Sequence, residues 1–154
     1  MTHWLIKSEP DVFSFADLLA SPGRTTAWDG VRNYQARNFV RDTMKPGDPV
    51  LFYHSSTTPP AGVGVAEVAA APYPDPTQFD PASDYYDAKA AKDAPRWFSV
   101  DIRALETLPR PVTLSELKTD SRLADMRLVQ RGNRLSVMPV TAVEFGVVLE
   151  LAGG

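Results

Sequence analysis

The sequence predicts a single α+β domain, a small and partly open β-barrel with short helices packed at its ends. Strand-like segments recur along the chain, which argues against a helical bundle. They do not alternate regularly with helices, which argues against a doubly wound parallel sheet. A length of 154 residues lets one domain, residues 1–154, bury its own core without a metal or a disulfide. We expect this domain to be a monomer.

The first third of the chain contains one predicted strand and two predicted helices. The strand covers His3–Ser8, and a short helix follows over residues 14–19. A second helix covers residues 32–43, because its apolar residues recur on one face. Asp29 or a neighbouring residue is expected to cap this second helix.

The middle of the chain predicts a β-hairpin and one further strand. Residues 49–55 and 62–68 form the hairpin, and residues 97–105 show the clearest alternation of apolar and polar side chains. Prolines cluster within residues 59–95, so much of this stretch is neither continuous helix nor central strand. We predict a long ordered loop there, because its aromatic residues provide apolar anchors.

Two short helices are predicted near the C-terminus. Thr113 and Thr141 each precede a glutamate by three residues, which is the pattern of a capping box. The second helix has an alternative, because residues 147–149 would also suit a strand.

Composition excludes several classes of function. The chain has no cysteine, which excludes disulfides, zinc-thiolate sites and cysteine nucleophiles, and which fits a cytoplasmic protein. No segment approaches the ~20 apolar residues of a membrane span, and no signal-peptide pattern begins the chain, so no membrane partner is expected. The net charge of −3 argues against tight non-specific binding of nucleic acid. Two groups of arginines form local basic clusters, for which solvated surface is the simpler interpretation: Arg32, Arg37 and Arg41, and Arg122, Arg127, Arg131 and Arg134.

Seven blocks of sequence resemble one known family. They cover residues 4–10, 28–38, 52–55, 64–68, 73–76, 95–98 and 134–137. In this order they are similar to the EVE family, a branch of the PUA-like superfamily. The eleven-residue block at 28–38 is the most specific of them. The resemblance implies a PUA-like, partly open barrel with a pocket between the first helical region and the barrel mouth.

The resemblance also implies a function. EVE proteins are taken to read modified bases, with cytosine derivatives favoured, and the related YTH readers hold methylated adenosine in RNA. The implied function is therefore a binding module for a modified nucleobase in DNA or RNA, without enzymatic activity. By the match to YTH readers, four residues fall at pocket positions: Lys7, Ser8, Trp28 and Ser55. The second tryptophan of the YTH cage has no counterpart here, so the other wall is either open or supplied by Phe79, Tyr85 or Tyr86.

The chemistry of base recognition suggests a role for each candidate. Trp28 is a candidate stacking platform, with a core tryptophan as the alternative. Fixed donors and acceptors for the base edge are expected from Ser8 and Ser55 at strand ends, from the amide of Asn33 and from the carboxylate of Glu9, unless these residues only cap or end elements. Trp97 either lines the cavity or covers a sheet face. The candidates for phosphate contacts are Lys7, Arg32 and Arg37.

Enzymatic readings find little support in the sequence. With only His3 and His54 and no cysteine, a metal site would depend on carboxylates, and no pair has ligand spacing. Neither a glycine-rich phosphate loop nor a G-x-S-x-G motif occurs, so no cofactor is predicted. Two alternatives to the base reader stay open. One is a sensor of a free nucleoside or another small ligand, and the other is an RNA-processing partner that acts through its surface.

Overall fold

A seven-stranded sheet forms the centre of the computed structural model, which describes residues 1–153. Its strands are β1 (His3–Ser8), β2 (Thr25–Trp28), β3 (Pro49–His54), β4 (Ala61–Val68), β5 (Tyr73–Pro74), β6 (Phe98–Thr113) and β7 (Val137–Val140). The order is β2-β6-β4-β3-β1-β7, and β5 pairs with β6 outside this path. Only β1 and β3 are parallel. The end strands β2 and β7 do not pair, so the sheet stays open, and the α+β prediction is confirmed.

Short helices cover the sheet. They are α1 (Phe15–Ala20), α2 (Tyr34–Asn38), α3 (Leu114–Thr119) and α4 (Ala142–Leu151). A π-helical turn, Phe39–Thr43, continues α2. None of the helices within residues 1–153 combines the length and the apolar character needed to cross a membrane.

Capping boxes begin three of the helices. Thr113 and Thr141 form the two predicted boxes, and Ser14 forms a third with Asp17 that the prediction missed. Once Thr141 has started α4, the helix runs through residues 147–149, so the strand alternative is wrong there. The second predicted helix starts later than expected, because Asn33 rather than Asp29 is its cap.

Apolar layers pack on both faces of the central strands. In β1, Trp4 and Ile6 join one core cluster, while Leu5 between them joins the other. In β3, Phe52 and Leu51 divide in the same way. Residues of α1 and α2 belong to the first layer, and residues of α3 and α4 belong to the second. Burial on both faces explains why β1 and β3 are almost continuously apolar, as parallel strands usually are.

The strand β6 is longer than its alternation predicts. It continues beyond Leu105 to Thr113 beside β4, through two irregularities in the pairing. The shift opposite Val65 and Ala66 adds one residue to β6, and one added residue changes the face on which the following side chains lie. Ile102 therefore packs in the first core layer, while Leu108 and Val112 pack in the second. This change of face interrupts the alternation of apolar and polar residues. The second half of the strand therefore cannot be recognised from periodicity.

Candidate functional site

A cavity of about 610 Å³ opens where the ends of β1 and β2 meet the long loop after β5. Its walls come from the end of β1 and the turn that follows, from β2 and residues 29–31, and from Tyr85 and Ser136. This volume lies within the range of about 300–1,000 Å³ that is usual for small-ligand pockets. It is large enough for one nucleobase. The cavity is thus at the position that the resemblance implies.

Trp28 forms part of the cavity wall and part of the core. It is the last residue of β2 and pairs with Val100 of β6. Its ring meets Phe13 and Phe52 edge-on, with centroid distances of 6.1 and 5.5 Å. The side chain is half-buried by these contacts, and its remaining surface lines the cavity. Trp28 therefore packs on the core and also presents part of its surface to the cavity, and its stacking role stays a prediction.

Tyr85 lines the cavity from the long loop, whereas neither Tyr86 nor Phe79 does. Its ring lies directly over the backbone of Gly30, where a methyl group would come within 2.6 Å of Cζ of the tyrosine. Gly30 also has a φ of +75°, which favours glycine. The guanidinium of Arg32 also lies 5.4 Å from the ring centroid of Tyr85. These contacts hold Tyr85 as the second aromatic residue of the cavity.

A buried carboxylate ties this loop to the block that follows Trp28. Asp75 accepts hydrogen bonds from the backbone N–H of Gly30 at 2.9 Å, from Nη1 of Arg32 at 3.0 Å and from the backbone N–H of Thr77 at 2.8 Å. Its side chain has no exposed surface. Burial disfavours the charged form, but the hydrogen bonds from Thr77, Gly30 and Arg32 outweigh it and lower the pKa of Asp75.

Removing this carboxylate should destabilise the protein. We expect Asp75→Ala to lower the free energy of unfolding by about 3 kcal/mol at pH 7, because Arg32 and the N–H of Gly30 lose their buried acceptor. Since folding lowers the pKa of Asp75, its contribution is present above the ordinary carboxyl pKa. The difference between variant and wild type should therefore shrink as the pH falls through the lowered value. Urea denaturation measures this, and Asp84→Ala, an exposed change in the same loop, should match the wild type at every pH.

Arg32 and Arg37 serve the fold in this structure. Nε, Nη1 and Nη2 of Arg32 donate to the carbonyls of Val31 and Tyr85, to Asp75 and to Thr77. These five bonds match the five N–H donors of a guanidinium, so no donor is left for a phosphate. Arg37 donates to the carbonyl of Arg96 at 2.7 Å. Arg32 therefore has no N–H left for its predicted phosphate contact. Arg37 uses two of its five N–H donors, on Asn38 and Arg96, so its phosphate role stays a prediction.

Several predicted base contacts lie outside the cavity wall. Trp97 is buried, stacks on Tyr34 with centroids 4.8 Å apart, and donates its indole N–H to Asp87 at 2.8 Å. Asn33 accepts from the backbone N–H of Ala36 at 3.0 Å as the cap of α2. Asn33 therefore has the helix-cap role considered for it. Trp97 does not line the cavity and packs instead against the start of α2 and the long loop.

The strand-end serines have backbone partners. The N–H of Ser55 donates to the carbonyl of Ser8 at 2.9 Å, so the pairing continues past the end of both strands. The hydroxyl of Ser8 donates to the carbonyl of Phe13. Ser8 lines the cavity and Ser55 does not. The N–H of Ser55 and the carbonyl of Ser8, proposed as free backbone groups, are therefore bonded to each other, and the hydroxyl of Ser8 fixes the turn that carries Phe13.

Three charged side chains reach the cavity, namely Lys7, Glu9 and Asp29. Within the described residues none of them forms an ion pair. Burial lowers the pKa of Lys7, and burial together with the nearby charge of Asp75 raises the pKa of Asp29. One donor and two acceptors thus face an empty space between aromatic residues, which is an arrangement suited to a flat polar ligand.

Asp29 lines the cavity but was not among the predicted pocket residues; it was considered only as one possible helix cap, a role that Asn33 has. Its signal was its position directly after Trp28, in the most specific of the seven blocks. His54 has the structural role expected of a lone core histidine: its Nε2 accepts from the backbone N–H of Phe15 at 3.1 Å, and burial lowers its pKa. No group of three or more metal-binding side chains occurs within residues 1–153.

This chain is similar to known proteins over nearly its whole length. Human thymocyte nuclear protein 1 is 42% identical over 97% of this chain and 73% of its own length. The crystal structure of the human THYN1 protein in complex with 5-methylcytosine containing DNA superposes with a TM-score of 0.93 and covers 100% of this chain and 99% of that chain. A crystal structure from Pseudomonas syringae is 48% identical, covers 97% of this chain and 99% of its own, and has a TM-score of 0.91. The profile of the EVE domain matches residues 2–151, and the chain therefore belongs to the EVE domain family.

Proposed function

We propose that this protein is a binding module that holds a modified cytosine of DNA in the cavity lined by Trp28 and Tyr85. The observation that carries the proposal is the open cavity of about 610 Å³ itself, with two aromatic residues and unpaired polar groups in its wall. The solved human relative, in complex with 5-methylcytosine containing DNA, supports the same ligand class. Binding rather than catalysis is proposed, because the cavity offers recognition groups and no arranged nucleophile and base.

Stacking provides the energy for such binding. A base that leaves a DNA strand loses pairing and stacking worth a few kcal/mol. Stacking on an aromatic side chain contributes about 1–3 kcal/mol of binding free energy per base. Trp28 and Tyr85 are both held by contacts within the protein, which reduces the entropy lost when a base enters.

Polar groups in the wall provide the specificity. The exocyclic amine of cytosine is a donor, and carboxylates are its usual partners in proteins. Asp29 and Glu9 both line the cavity as acceptors, and Lys7 is a donor for the carbonyl oxygen or the ring nitrogen of the base. We propose that Asp29 accepts from the amine, because the walls around it already exclude part of its water, as the raised pKa indicates.

Matched oligonucleotides test this function. Calorimetry should show tighter binding to DNA with 5-methylcytosine than to the same DNA with cytosine, by about fourfold if only the additional methyl group is buried. Equal and weak binding to both oligonucleotides would contradict the proposal. The unmodified strand is the internal control, since its charge and length are identical.

A sensor of a free modified nucleoside is the second candidate. One observation favours it: within the described residues Lys7 is the sole cationic residue lining the cavity, because Arg32 and Arg37 are bound elsewhere. A nucleoside without phosphates should then bind as tightly as the oligonucleotide, and salt should have little effect on either. Stronger binding of the oligonucleotide that weakens steeply with salt would exclude this candidate.

A further inference from the structure

A second concavity lies beside the cavity and contains a different set of charges. It encloses about 480 Å³ between the start of α2 and residues 127–135. Among the described residues, no aspartate or glutamate lines it. We call it the arginine groove, and its main polar residues are Asn33, Gln35, Arg127, Gln130, Arg131 and Arg134.

The three arginines of the groove lack the partners that other arginines of this chain have. Arg103 and Arg110 pair with glutamates, and Arg122 pairs with both Asp120 and Glu150. Within residues 1–153, Arg127, Arg131 and Arg134 form no ion pair. The protein as a whole has a net charge of −3, so this is a local positive surface on an acidic molecule. Converging unpaired cations raise the local concentration of an anionic ligand.

The loop that carries these arginines is internally braced. Asn133 donates its side-chain amide to the carbonyl of Arg127 and accepts from the N–H of Leu135 at 2.9 Å. Gln130 donates to the carbonyl of Ala124 at 2.7 Å. The guanidinium of Arg127 lies 5.5 Å from the ring centroid of Phe39. A braced loop loses less entropy on binding than a flexible one, so the groove is preorganised.

The groove and the cavity are continuous along the backbone. Leu135 lines the groove and Ser136 lines the cavity, although they are adjacent in sequence. Val31 lines the cavity, and Asn33, two residues later, lines the groove. The carbonyl of Ser136 also accepts from the backbone N–H of Lys7 at 2.9 Å, which fixes the boundary between the two spaces. A ligand that extends beyond the cavity therefore meets the arginines first on this side.

We infer that the arginine groove binds phosphates of the DNA strand that flank the base held in the cavity. The inference rests on the proposed function, since a strand enters the groove because its base is anchored next to it. Guanidinium groups match phosphate oxygens in geometry and charge, and such contacts position a strand without reading its sequence. Base identity is then read in the cavity, while the groove contributes affinity that depends on salt.

A double variant tests this inference. Arg131→Gln with Arg134→Gln should weaken binding to methylcytosine DNA about tenfold at low salt. It should also make the slope of log affinity against log salt shallower by about 1.4–1.8, the value for two lost phosphate contacts. The preference for methylated over unmethylated DNA should not change. Arg103→Gln with Arg110→Gln is the control, because it alters the net charge equally at residues that do not line the groove.

The possible outcomes test the role of the groove and the role of the cavity independently. If the double variant keeps both the wild-type affinity and the wild-type salt slope while the methyl preference stands, the groove inference is wrong and the base reader survives. If the wild type shows no methyl preference, the proposed function fails. The salt slopes of wild type and double variant on unmodified DNA still show whether the groove contacts phosphates. A polyglutamate peptide that binds the groove more tightly than DNA does, with the same loss in the double variant, would also overturn the inference in favour of an acidic protein partner.

Discussion

Trp28→Ala should weaken the binding of methylcytosine DNA by between about fivefold and 150-fold, the range that corresponds to one lost aromatic stack of about 1–3 kcal/mol. Trp28 is expected to have the larger effect of the two aromatic residues, because Phe13 and Phe52 hold its ring edge-on while part of its surface stays open. Trp28→Phe should restore most of the affinity, since a smaller ring still stacks. Titration of a labelled oligonucleotide measures the affinity of the wild type and of both variants.

Loss of stability must be separated from loss of the stacking surface. Trp28 packs on the core, so its removal also lowers the free energy of unfolding. Trp97→Phe provides a matched control, because it removes the bond from a buried indole to Asp87 outside the cavity. This control should be destabilised and yet bind methylated DNA as the wild type does. A folded Trp28→Ala protein with unchanged affinity would show that the indole does not stack on the base.

A second pair of variants separates the two tyrosines. Both are exposed and adjacent in the long loop, and only Tyr85 lines the cavity. Tyr85→Ala should therefore reduce affinity, and Tyr86→Ala should not. The same pair decides whether the second wall of the cavity contributes to binding.

Local sequence pattern determines the central strands and the helix starts. The strand β1 and the hairpin of β3 and β4 are apolar enough to be recognised alone, and the threonine boxes begin α3 and α4 as predicted. The strands β2, β5 and β7 are different, because they have four, two and four residues. Such short strands exist only through pairing with β6 or β1, and no local periodicity marks them.

The sequence likewise predicted some residues of the candidate site and missed others. Lys7, Ser8 and Trp28 line the cavity where the ends of β1 and β2 meet, and the family resemblance placed all three at pocket positions. It placed Ser55 there too, which does not line the cavity, whereas Glu9 does. The position of Tyr85 was left open by the sequence, because it depends on Asp75 bonding to a backbone group 45 residues away. Arg32 was predicted at the site from the sequence, but its guanidinium donates to Asp75, Thr77 and the carbonyl of Tyr85. These partners are distant in sequence, and only the fold brings them to Arg32.

The carboxylate of Asp29 should determine the discrimination between 5-methylcytosine and thymine. Both bases carry the same methyl group, but the first presents an amine where the second presents a carbonyl oxygen. An ionised carboxylate accepts from the amine and repels the oxygen. A hydrogen bond to a charged group contributes about 1.5–3 kcal/mol, so the wild type should prefer 5-methylcytosine by between about tenfold and 150-fold.

Asp29→Asn should remove most of that preference, because an amide either accepts from an amine or donates to a carbonyl oxygen by rotating. The raised pKa of Asp29 means that its ionised form disfavours the folded state above that pKa, so this variant should not lose stability. The same reasoning gives the pH dependence. The accepting form exists above the raised pKa, and discrimination should fall in the wild type as the pH drops towards it, while Asp29→Asn stays flat. Glu9→Gln is the matched control at the other cavity carboxylate. If Glu9→Gln abolishes discrimination and Asp29→Asn keeps it, the amine is read by Glu9 and the role given to Asp29 is wrong.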